Sequence, residues 1–122
     1  MKSLIGILLC FILLTPACKE DADPKTTCGV EDSLEELEWL AAEIADIQQS
    51  SLAEYFYVTK ATYNGGTVFI IGNCCPHCGT VAPVYDCNGN RLGNVGDQNI
   101  KPGLLENDIL VWAPDNSSCT FN

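Results

Sequence analysis

Positive charge and imidazole are what this chain has least of. Six lysines and arginines stand against sixteen aspartates and glutamates in 122 residues, and His77 is the sole histidine. Nucleic acid phosphates would be repelled by that balance, and anionic lipid headgroups would not be drawn to it. Catalytic signatures are missing as well: there is no nucleophile elbow, no phosphate-cradling glycine loop and no zinc-protease helix. A hydroxyl-based triad would have to recruit His77 from a loop of cysteines, and the acid pair Glu35-Glu36 falls on the solvated side of an expected helix. Enzymatic chemistry and a cofactor are therefore not expected. No apolar run reaches the length of a membrane span, and there are no internal repeats.

What the chain does carry begins at its N-terminus. Lys2, an apolar run from Leu4 to Leu14 and small residues ahead of Cys18 lay out residues 1–17 as a secretory signal peptide. Leu14-Thr15-Pro16-Ala17-Cys18 resembles a bacterial lipobox, in which the cysteine after a small residue is freed by cleavage and lipidated. Thr15 departs from that pattern, standing where an aliphatic residue is usual. Cys18 is thus the expected attachment point of an acyl anchor such as palmitate, and residues 18–27 read as lipidated cysteine and tether. Lys19-Glu20-Asp21 is similar to the surface-export signal of Bacteroidetes lipoproteins. The expectation is an outer-membrane lipoprotein, displayed on the cell surface, whose membrane contact is its lipid. Loss of Lys2 with the signal leaves five basic residues against sixteen acids, a mature charge of −11.

Beyond the anchor, residues 28–122 are long enough for one small domain with one core. They hold Cys28, Cys74, Cys75, Cys78, Cys87 and Cys119, an even number in an oxidising compartment, which reads as three disulfides. Fifteen connectivities are open for six cysteines.

The hydrophobic period switches once along this domain. After a cap at Asp32 or Ser33, with Glu35 or Glu36 completing a capping box, Leu34, Leu37, Leu40, Ala41, Ile44 and Ile47 form the stripe of a single amphipathic helix. Trp39 falls opposite that stripe. It needs a second surface, which the N-terminal segment or a sheet edge would supply; otherwise it is an exposed anchor for a partner. From Ala53 the residues become aromatic and β-branched, with Asn64-Gly65 as a two-residue hairpin turn. A further strand spans Thr80 to Asp86, where Pro83 belongs at an edge, a bulge or an unbonded site. Asn88-Gly89 turns the chain again. Residues 94–107, polar and glycine-containing, read as the least ordered part, and Asp108 to Trp112 as a buried last strand. The fold class is α+β: one N-terminal amphipathic helix packed on a four- to five-stranded antiparallel meander sheet. The other face of that sheet must be polar or covered.

Between the two apolar runs of Thr67 to Asn90 lies the chain's chemical concentrate, Cys74, Cys75, His77 and Cys78. Cys75-Pro76-His77-Cys78 matches the dithiol motif of strong thiol oxidants, where the histidine lowers a thiolate pKa. The Gly79-Thr80-Val81-Ala82-Pro83 that follows cannot form the helix which such chemistry requires. Both zinc ligand types are also present, but four ligands within five residues cannot readily wrap a tetrahedral ion. Thiol-disulfide exchange and metal binding remain the alternatives to a disulfide-stapled tip with a solvent-facing His77. If the hairpin turns about Pro76-His77, facing residues have numbers summing to about 153, so Cys78 lies opposite Cys75 and near Cys74. Cys87 then sits by Gly66, roughly 20 Å from the tip. It must pair with Cys28 or Cys119.

Several of these residues carry a likeness. Cys28-Gly29-Val30-Glu31, Leu34 through Trp39-Leu40, Tyr63-Asn64-Gly65 with Val68-Phe69, the cysteine tip, Val84 through Gly89 and Ile109 to Trp112 together resemble an uncharacterised family of small Bacteroidetes lipoproteins, a domain of unknown function. Glu38 stands where that family would be expected to have proline. The resemblance implies export, lipidation and fold, and no activity. The chain is thus expected to be a monomeric binding or structural module, with Trp39 and His77 as candidate interaction residues.

Overall fold

The computed structural model describes residues 28–30 and 32–121. The expected signal peptide, Cys18 and the tether lie outside the described residues. Two helices, α1 (Ser33–Glu36) and α2 (Glu38–Gln48), precede five strands, β1 (Phe56–Tyr63), β2 (Gly66–Asn73), β3 (Pro83–Tyr85), β4 (Arg91–Asn94) and β5 (Glu106–Trp112). The strands form one antiparallel sheet of order β4-β3-β2-β1-β5. The fold is mixed α+β, as expected. It is a meander only through β4, because β5 returns to the opposite edge and pairs with β1.

The helical stretch starts as its sequence demands. The Leu34 N–H donates to Asp32 Oδ1 at 3.0 Å, and the Asp32 N–H donates to Glu36 Oε2 at 2.9 Å, a reciprocal cap closed four residues on by Glu36 instead of three residues on by Glu35 as in a capping box. It does not continue as one helix. Leu37 is extended (φ −88°, ψ 97°) and serves as the N-cap of α2. Position 38, where the resemblance leads one to expect proline, is therefore the first residue of a helix, where a missing N–H costs nothing. The expectation of a single helix is corrected accordingly. The break leaves the buried stripe of α2, Leu40, Ile44 and Ile47, seated on Val58, Phe69 and Ile71 of β1 and β2.

Alternation along the strands sends a second set, Ala61, Val68, Ile70 and Val84, to the other face. That face is covered, and its cover is the segment expected to be least ordered. Ile100, 1% exposed, plugs it. Around it the Val95 N–H donates to Ala82 O at 2.9 Å, the Asn94 N–H to Asp97 Oδ2 at 2.7 Å, and the Tyr63 hydroxyl to Asn99 O at 2.6 Å. Val95 and Leu105 of the same segment pack beside it.

β5 corrects a further expectation. It is an edge strand, not a buried one: Ile109 and Leu110 are 51% and 44% exposed, and only its Val111-Trp112 end packs against the helix-side core. Register shifts against β1, one between Glu106 and Ile109 and one between Leu110 and Trp112, and the left-handed Asn107 (φ 55°) distort it along its length. Together with Glu106 and Asp108, such irregularity blunts an open edge against pairing with other chains.

A stapled tip and the cavity beside it

β1 and β2 are joined by a tight turn in which Asn64 (φ 49°) and Gly65 (φ 77°) both adopt the left-handed conformation that an Asn-Gly pair tolerates. The resulting register, Tyr63 opposite Gly66 through Phe56 opposite Asn73, brings the end of β2 back beside Tyr55. The Cys74 N–H donates to Tyr55 O at 3.0 Å and so extends the ladder by one residue. At Cys75 the chain leaves it, held by Asn73, whose Oδ1 accepts the Cys75 N–H at 2.8 Å. Asn73 Nδ2 is buried without a partner among the described residues.

Six cysteines make three disulfides. Cys75 pairs with Cys78 across the tip, Cys74 with Cys119 of the C-terminal tail, and Cys28 with Cys87, at Cα separations of 5.5, 5.7 and 5.6 Å. Of the alternatives left open by spacing, the ladder selects these. Cys74 remains at the strand end, beside the tail that runs past Glu54 and Tyr55; the Ser118 N–H donates to Glu54 O at 2.8 Å. Cys75 has already turned towards Cys78. β2 and β3 pair as Phe69 with Tyr85 and Ile70 with Val84, one residue from the expected register, so the Cys87 sulfur lies 3.8 Å from Thr67 O instead of beside Gly66. The tip and Cys87 stand at opposite ends of the hairpin, as the strand rise requires.

His77 is exposed at the tip. Residues 79–82 have no helical structure and lead into β3, which is shorter than the expected Thr80 to Asp86. The helix N-terminus that stabilises a reactive thiolate elsewhere is not found after this Cys-Pro-His-Cys. Among the described residues no group of three or more His, Cys, Asp or Glu side chains converges as a metal site would need. Pro83 occupies the first position of β3, before its pairing with β2 begins, so its missing N–H is not needed.

Trp39 lies half-buried between helix and sheet. Its ring meets Phe69 edge-on at 5.7 Å between centroids and Tyr85 at 5.6 Å, and its Nε1–H donates to Cys87 O at 2.9 Å. The sheet extends sideways beneath the flank of α2 that reads as solvated, which is why an off-stripe tryptophan finds a surface there. Gly89 (φ +81°) makes room for it: a Cβ at that position would fall 2.8 Å from Trp39 Cγ.

The same flank continues along α2 as Glu43 and Asp46, at four and seven residues from Trp39, with Ser50 just beyond the helix end. Here no aromatic fills the gap. An open-sided cavity of about 590 Å³ remains, lined by the apolar Ile47, Phe56 and Ile71 and, away from the helix, by Cys78, Val81, Pro83 and Arg91. Its size is that of small-molecule sites. One wall carries two carboxylates, and no described residue pairs with either Glu43 or Asp46. The other carries a guanidinium, one of whose nitrogens donates to Asn94 Oδ1. Tyr85 opposite Arg91 in the β3–β4 register puts Arg91 on the helix-bearing face.

Cys78 apart, none of these cavity residues was marked by a motif. The available signal was the row Trp39, Glu43, Asp46 and Ser50, in which one aromatic among polar residues shows that the flank is half covered. No family model, curated protein or solved structure matches the chain.

Proposed function

We propose that this chain is an exported bacterial envelope lipoprotein of the small Bacteroidetes type, held to the outer membrane through a lipid on Cys18, whose domain acts as a binding module. The cavity beside the stapled tip is the observation that carries the binding half of this reading. Its walls come from α2, the tip loop and the β3–β4 hairpin, and the tip loop is closed by Cys75–Cys78. Such a site is preformed, so a ligand need not pay to order it. Export is supported by the layout of residues 1–17, by the lipobox-like segment ending at Cys18, and by the pairing of all six described cysteines, which suits an oxidising compartment.

Mass spectrometry of the mature N-terminus is expected to find diacylglycerol on Cys18, and Cys18→Ser to release the protein from the membrane fraction. An unmodified residue 18 in a soluble fraction would remove the anchor. External protease on intact cells is expected to degrade the domain; protection until lysis would put it on the periplasmic leaflet.

A further inference from the structure

We infer that the cavity between α2 and the cysteine tip binds a small apolar zwitterion, an apolar amino acid or short peptide with free ends, its ammonium group against Glu43 and Asp46 and its carboxylate against Arg91. This inference rests on the binding-module reading and deepens it.

The floor sets the body of the ligand. Ile47, Phe56 and Ile71 present hydrocarbon, and Val81, 60% exposed at the lip, adds apolar surface that nothing in the fold covers. A wholly polar solute would gain little there, whereas side chains such as those of leucine or phenylalanine would lose contact with water. The walls set the ends. Glu43 and Asp46 lie one turn apart on the same flank of α2 and have no partner among the described residues. Two adjacent carboxylates beside an apolar floor attract an ammonium group, the more so in a domain this acidic.

Arg91 decides against a purely cationic ligand. After residue 28 the chain has only three basic side chains, Lys60, Arg91 and Lys101, and one of them lines this cavity. Its bond to Asn94 Oδ1 occupies one guanidinium nitrogen and steadies the group, leaving other donors for a carboxylate. Charges of opposite sign on opposite walls, with hydrocarbon between, complement a molecule carrying both charges around an apolar body.

The test is calorimetric titration of the mature, disulfide-intact protein with the dipeptide Phe-Leu, alongside its N-acetylated, C-amidated and doubly blocked forms. Saturable binding of the free dipeptide is expected, with each blocking group weakening it about tenfold, the scale of one charge-assisted hydrogen bond. Glu43→Gln with Asp46→Asn should weaken the free dipeptide about tenfold and leave the N-acetylated form unchanged. Arg91→Gln should do the same for the carboxylate, leaving the C-amidated form unchanged. Equal affinity for free and doubly blocked peptide would overturn the zwitterion while keeping a binding cavity. No saturable heat from any of the four, with Cys18 lipidated and the protein exported, would overturn the ligand class while leaving the anchor and its location standing.

Discussion

Gly89 shows how much one position can carry. Its φ of +81° belongs to the left-handed region, and its missing Cβ is where Trp39 sits. Gly65, at φ +77°, has the same backbone demand but open space around it. Alanine at both positions separates the two effects. Gly65→Ala is expected to cost about 1 kcal/mol, the strain of a non-glycine residue in that conformation. Gly89→Ala should cost that strain and also displace Trp39 from Cys87 O, Phe69 and Tyr85, bringing the loss to about 3 kcal/mol. Urea denaturation midpoints measure both, and equal losses would mean that Trp39 shifts freely. Asp86, three residues earlier, governs the same turn. Its carboxyl is held below its ordinary value of 3.8 chiefly by the Asn90 N–H; burial opposes this, and the Asn90 side chain and the Asn88 and Gly89 N–H groups add to it. A depressed folded pKa means that the ionised form is the stabilising one. Its contribution is complete only well above 3.8, falls progressively as pH drops through 3.8 towards the folded value, and is gone well below it. Asp86→Asn keeps an acceptor but cannot titrate, so the acid limb of a stability-pH profile should flatten in that variant.

At the level of elements, the three disulfides are unequal. Chain-entropy reasoning makes the staple worth more the longer the loop it closes. Cys28–Cys87 and Cys74–Cys119 join residues 59 and 45 apart, worth about 4 kcal/mol each, whereas Cys75–Cys78 joins residues 3 apart, worth about 2 kcal/mol. Paired serine substitutions should reproduce that order in denaturant titrations. A tip pair as costly as the other two would show that it holds the native tip in place instead of restricting the unfolded chain. The long pairs also do what the strands cannot. They fasten the N-terminal segment to the β3–β4 hairpin and the C-terminal tail to the end of β2, segments that contribute little to either core.

The whole molecule balances a two-sided sheet against modest covers. α2, eleven residues long, shields only part of one face, and a single side chain, Ile100, centres the cover of the other. A domain of this size has a net stability of about 5 to 15 kcal/mol, and the three bridges together contribute about 10. Full reduction is therefore expected to unfold the domain at body temperature, followed by loss of near-ultraviolet circular dichroism. A reduced protein that kept its tertiary signal would mean that the two cores suffice.

Much of this was legible in residues close together along the chain. Asp32 and Glu36 announced the cap, Asn64-Gly65 and Asn88-Gly89 the turns, and Leu40, Ile44 and Ile47 the buried stripe. Such signals act within a few residues, through φ preferences and side-chain period, so they survive without knowledge of the fold. Strand rise likewise separated Cys87 from the tip. The break at Leu37, the exposed β5, the burial of Ile100, the partner chosen by Cys74 and the cavity beside Arg91 had no local signature. Each depends on how far a short helix and a loop reach across five strands, and only the packed arrangement of the whole chain determines that reach.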